Sequence, residues 1–161
     1  VFYVATARTD PEDVEWVARI AHHAARRPAS WSLIETASPR GRDLADVLRT
    51  SRASTLLLVD SLGTWLADRM AFQSERSAGI RGAGAALERE CEALCDAFAG
   101  APARTIVVTE EVGWSVVPDH PSGRLFRDVL GRMNQRLARE SDGAYLVVSG
   151  IPLDLHALAK H

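Results

Sequence analysis

The chain has 161 residues, with 19 Lys and Arg against 21 Asp and Glu, and is 47% hydrophobic and 25% charged. That length suits one domain with a real core. A formal net charge of −2 excludes a global pull toward nucleic acid or an anionic membrane. No apolar run approaches the roughly 18 residues that span a bilayer, and no secretory leader pattern is visible. Cys91 and Cys95 are four apart, with no Cys or His spaced to complete a ligand set. They read as small buried thiols of a cytoplasmic protein rather than as zinc ligands.

The chain opens on the apolar, β-rich run VFYVATA (1–7). Thr9 or Asp10 is positioned to cap the next helix, with Pro11 at its first position, and Pro28 stops that helix after about Arg27. SWSLIET (30–36) reads as a short strand and RDLADVLRTS as a helix. STLLLVDS (54–61) is a continuous apolar run that ends in an acid, which suits a strand buried on both faces. LGTWLADRMAF is helical, and 74–83 reads as a connection. In AALERECEALCDAFAG, Leu87, Cys91, Leu94, Cys95 and Phe98 form one apolar stripe, closed by Gly100. RTIVVTEE (104–111) is the next strand, and VGWSVVPDHPSG a Gly- and Pro-rich loop. RLFRDVLGRMNQRLARES is a helix, AYLVVSG the last strand, and IPLDLHALAKH a tail of undefined form.

This alternation predicts a single α/β domain over 1–161, with a mostly parallel sheet and helices on both faces. Ligands of such sheets bind beyond the carboxyl ends of the strands. Thr6, Asp60, Glu110 and Glu111 fall at those ends.

RIAHHAARRP (19–28) sets two histidines side by side. Neighbours on a helix point about 100° apart, so His22 and His23 serve different places. On the helical wheel Val14, Val17, Ala18, Ala21, Ala24 and Ala25 share one side, taken as the core face, with His22 on its flank. His23 lies opposite, on the expected solvent face, near Trp16. Arg19 and Arg27 lie four residues before and four after it. Guanidinium forks match phosphate oxygens, and a neutral imidazole nitrogen attacks phosphorus to give a labile phosphoramidate. The plainer alternative is a solvated basic face.

Taken together, YVATA (3–7), ARIAHHAARRP (18–28), Trp31 with Glu35 and Thr36, LLLVDSLGTWLAD (56–68), VVTEEVGWSVVP (107–118), GRLFRDVLGRMNQRLA (123–138) and LVVSGIPL (146–153) resemble one family. It is the bifunctional adenosylcobinamide kinase / adenosylcobinamide-phosphate guanylyltransferases of cobalamin biosynthesis. The resemblance implies a P-loop NTPase (RecA-like) fold. It implies phosphorylation of adenosylcobinamide by ATP or GTP, then guanylylation of a histidine by GTP with release of pyrophosphate. GMP then passes to adenosylcobinamide phosphate, giving adenosyl-GDP-cobinamide. The guanylylated histidine matches His23. The nucleotide contacts match Ala5, Thr6 and Ala7, then Ala24, Ala25, Arg26 and Arg27, then Glu35 and Asp60. Asp60 also occupies a Walker-B-like place for Mg²⁺. A homo-oligomer, a trimer in relatives, is implied as well.

Two departures stand out. The family's G-x-x-x-x-G-K-[ST] loop, whose amides cradle phosphates, is absent from this sequence, so the fold is expected without its first strand and phosphate loop. Either about 25 to 30 further residues, sized as one strand, loop and helix, are expected ahead of Val1, which the missing initiating Met favours, or the chain is a relic without the loop. Ser115 replaces a glycine of the relatives' VGxGxVP. Two rival readings stay open: an inactive homologue acting as a subunit or scaffold, and a P-loop small-molecule kinase with no covalent step.

Overall fold

The computed structural model describes residues 1–8, 10–37, 41–76 and 80–159. Its elements follow as β1 (Phe2–Ala5), α1 (Val14–Arg26), β2 (Ser32–Glu35), α2 (Leu44–Arg49), β3 (Leu56–Asp60) and α3 (Leu62–Arg76). They continue as α4 (Ile80–Ala99), β4 (Arg104–Val108), α5 (Pro121–Glu140), β5 (Tyr145–Val148), β6 (Ile151–Asp154) and α6 (Leu155–Leu158). The first four strands form one parallel sheet in the order β2-β1-β3-β4. This is the α/β architecture expected, with all four carboxyl ends on one edge.

Side chains alternate across the sheet, and the two faces are covered unequally. Ile34, Val4, Val59 and Val107 share one row. Val4 and Val59 are fully buried in a single cluster with Leu44, Leu48, Leu62, Leu66, Leu87, Leu94 and Leu130 of α2 to α5. The next row, Leu33, Tyr3, Leu58 and Ile106, faces the other way, and both end members are exposed. The α1 helix lies over this face, and none of its residues is buried. β3 is therefore closed in on one side and half-covered on the other, short of the two-sided burial its apolar run suggests.

Four further differences have local causes. The first helix begins at Val14 because Asp13 caps it, its carboxylate accepting the Trp16 amide at 2.9 Å. Asp10 instead accepts from the Glu12 amide in the preceding turn, and Thr9 lies outside the described residues. The 74–83 stretch is largely helical, since α3 runs to Arg76 and α4 starts at Ile80. Residues between them lie outside the described set. β5 does not join the parallel sheet but pairs antiparallel with β6. Ser149 and Gly150 both take positive φ, 52° and 79°, as a type I′ hairpin turn requires. The tail accordingly contains β6 and α6.

The most instructive difference is in α1. Except for Ala24, which it groups with the wrong side, the wheel separates the two faces, but the face assigned to the core is the one turned outward. Val14 is 77% exposed and Val17 39%, and Ala18, Ala21 and Ala25 are exposed beside them. Trp16, Ile20, Ala24 and Arg27 are half-buried instead. Apolar area removed from water sets the preference, and the large indole of Trp16 with Ile20 is covered in place of two valines and a row of alanines.

Candidate functional site

Parallel pairing aligns the ends of β1, β2 and β3, and α1 crosses above them on the Tyr3 face. A cavity of about 220 Å³ lies between. Its floor is Tyr3, Ala5 and Ala7 from the first strand and its exit, Leu33 and Glu35 from β2, and Asp60, Ser61 and Thr64 from the β3–α3 junction. Its roof is the inner face of α1: Trp16, Arg19, Ile20, His23 and Arg27. His23 is exposed yet turned toward the sheet, not toward the outer solvent face.

Of the residues singled out in the sequence, the cavity brings together Ala5, Ala7, His23, Arg27, Glu35 and Asp60. Thr6, Ala24, Ala25 and Arg26 are not among its lining residues. Thr6 is fully buried, and its hydroxyl donates to the Ser61 carbonyl at 2.6 Å and meets the Thr64 hydroxyl at 2.6 Å. Ala25 and Arg26 lie on the exposed part of α1. The two guanidiniums flank His23 as the spacing predicts, but neither stands alone. Arg19 donates to Glu15 at 2.7 Å, and Arg27 lies over the Tyr3 ring, 4.5 Å from its centroid.

Tyr3 is a site residue the sequence reading missed. Its hydroxyl donates to Asp60 Oδ2 at 2.7 Å while its ring carries Arg27. Burial pushes its phenol up to about 12, helped by the Asp60 hydrogen bond and charge and offset in part by Arg27. Across ordinary pH it therefore stays a donor. Within an apolar strand a tyrosine looks like any other β-former, and only the register Tyr3↔Leu58, two pairs from Asp60 and on the same face, reveals its partner.

Glu110 takes a role its position only hinted at. Its carboxylate accepts from the Ser61 hydroxyl at 2.5 Å and from the Gly63 amide at 2.9 Å. It thus satisfies an amide at the start of α3 and favours that helix end electrostatically. A side chain at Gly63 would collide with this carboxylate. Glu110→Ala is expected to cost about 1 kcal/mol, as for loss of a helix cap, read as a lowered urea midpoint with an unchanged m-value. Glu111 faces its own loop, accepting the Gly113 amide at 2.6 Å.

A site of this kind, opening at the carboxyl edge of a parallel sheet with two arginines on one side and two acids on the other, belongs to the α/β enzymes that bind their ligands at that edge. Residues 1–155 match the family model described as "Cobinamide kinase / cobinamide phosphate guanyltransferase". The chain is 35% identical over 156 residues to the bifunctional adenosylcobalamin biosynthesis protein CobU of Salmonella typhimurium, covering 94% of this chain and 83% of the relative. It is 33% identical over 162 residues to CobU of Escherichia coli, with the same coverage. It is 35% identical over 156 residues to CobP of Pseudomonas aeruginosa, covering 96% and 82%. The chain belongs to this cobinamide kinase / cobinamide phosphate guanyltransferase family of enzymes. Among the described residues no helix is long and apolar enough to cross a membrane.

Proposed function

We propose that the cavity beneath α1 binds GTP and that His23 carries GMP between GTP and the phosphate of adenosylcobinamide phosphate. The observation that carries this reading is the placement of the His23 ring in one cavity with Arg19, Arg27, Glu35 and Asp60. A ring nitrogen of His23 attacks the α-phosphorus. A P–N bond forms, the α–β P–O bond breaks, and pyrophosphate leaves. A phosphate oxygen of the acceptor then attacks the same phosphorus, forming P–O and breaking P–N, which frees the imidazole. Arg27 and Arg19 suit the phosphate oxygens. The apolar patch of Trp16, Ile20 and Leu33 suits a purine, and the Glu35 carboxylate can accept from the N–H groups on guanine's edge.

The family's other half-reaction, phosphorylation of the cobinamide hydroxyl by ATP or GTP, is proposed for the same strand edge. Magnesium fits as a shared ligand only: among the described residues no three His, Cys, Asp or Glu groups could hold a metal by themselves. Asp60, with hydroxyls of Ser61 and Thr64 nearby, offers the hard oxygens that suit an ion already held by phosphates. Bound there, Mg²⁺ supplies charge neutralisation at the phosphates. Copies of the chain are proposed to associate, as a trimer in the simplest case, and the apolar outward face of α1 supports this.

The test is incubation with α-labelled GTP. Label that stays with the protein in base, leaves in acid, and is chased off by cobinamide phosphate is the expected result. Label absent under all conditions while the protein binds GTP would sink the covalent step and favour a non-covalent kinase or an inactive homologue.

A further inference from the structure

The loop after β4 displays a run of apolar side chains on a backbone held fast at both ends. Asn134 Nδ2 donates to the Glu110 carbonyl at 3.0 Å. Arg127 Nη2 donates to the Gly113 carbonyl at 2.9 Å. Arg124 Nη1 donates to the carbonyls of Pro118 at 3.0 Å and Asp119 at 2.8 Å. Between these anchors Trp114 is 75% exposed, Val116 91% and Val117 61%. Two arginines of α5 thus brace the loop backbone while its apolar side chains are pushed into water. Contiguous exposed apolar groups on an ordered scaffold mark a binding surface.

Its place in the fold says what binds. The cavity takes its floor from β2, β1 and β3, and β4 is the next strand along the same edge. The Ser61–Glu110 hydrogen bond joins the Asp60–Ser61 end of the cavity to the residue where this loop begins. The cavity of about 220 Å³ is the proposed seat of GTP, so a corrin macrocycle bound at the same time has no room inside it. A substrate whose phosphate must reach His23 while its ring stays outside will lay that ring on the rim.

We propose that Trp114, Val116 and Val117 form the platform on which the corrin ring of the cobinamide acceptor lies. This rests on the reading of cobinamide phosphate as the acceptor. A corrin is broad, largely flat and apolar on its faces, and fringed with amides. An indole can stack on such a face, and loop carbonyls and amides at the rim can meet the fringe.

The experiment measures dicyanocobinamide binding by equilibrium dialysis, GTP binding by calorimetry and histidine labelling from α-labelled GTP, for the full chain and for Trp114→Ala, Trp114→Phe and Val116→Ser. Thermal melts and light scattering accompany each. Trp114→Ala is expected to weaken dicyanocobinamide about tenfold, in the range of aromatic stacking. Val116→Ser is expected to weaken it less, and Trp114→Phe to restore most of the affinity. GTP affinity and labelling are expected to stay within about twofold. Unchanged dicyanocobinamide affinity in both Trp114→Ala and Val116→Ser overturns the proposal. So does an equal loss of GTP affinity, or a loss of self-association with corrinoid binding intact, which would assign the surface to a second copy of the chain. A parent protein that binds dicyanocobinamide through Trp114 but takes no label leaves the platform standing and removes the guanylyl-histidine. One that takes label but does not bind the corrinoid does the reverse.

Discussion

His23→Asn is expected to abolish covalent GMP and to lower GMP transfer by at least about 10⁴-fold, the scale on which removal of a catalytic nucleophile acts. Asparagine keeps a polar group at the position but has no nitrogen lone pair able to form the P–N bond. The ring is exposed and α1 buries none of its residues, so the loss would be chemical rather than structural. The melting temperature is expected to stay within about 2 °C of the parent, as for exposed substitutions. His22→Asn is the matched control. It is also exposed on α1 but is absent from the cavity lining, so its transfer rate is expected to lie within about twofold of the parent, as for a surface change. Acid-labile label on the His23→Asn protein would place the nucleophile elsewhere.

Asp60→Asn is expected to lower turnover about 10- to 100-fold, the range seen when groups around a bound metal are altered, and to raise the Mg²⁺ concentration needed for half-maximal rate. The asparagine carbonyl can still accept from the Tyr3 hydroxyl, which the aspartate does at 2.7 Å. The fold and the seat of Arg27 on the Tyr3 ring should therefore persist. What disappears is one negative charge at the end of the cavity formed by the β3–α3 junction. A magnesium titration of the rate separates this from misfolding. An unchanged half-saturation point would show that Asp60 does not help to hold the ion.

The layered α/β plan was legible because it is written in period: apolar runs of strand length alternate with amphipathic stretches. The stripe Leu87, Cys91, Leu94 and Cys95 is buried just where a 3.6-residue repeat puts it. His23, Arg27, Glu35 and Asp60 were found from spacing and resemblance, and they meet at one cavity. Periodicity does not carry a sign, however. It divides the α1 helix into two faces, but choosing the inward one requires knowing what lies beneath. Here that is a tyrosine able to accept a guanidinium. Tyr3 and Glu110 escaped for a related reason. Each acts through a partner, Asp60 or Ser61, separated by 57 or 49 residues, and no local pattern encodes such a pairing. The β5–β6 hairpin was recoverable in principle, since Ser-Gly between two β-rich runs is a turn signature.

The phenol of Tyr3 has one more effect, on stoichiometry at the carboxylate it touches. Oδ2 of Asp60 already accepts from this phenol, which stays protonated at ordinary pH. A cation drawn to Asp60 would compete with the phenol for Oδ2 but not for Oδ1, which favours contact through one oxygen over the two-oxygen grip often used for calcium.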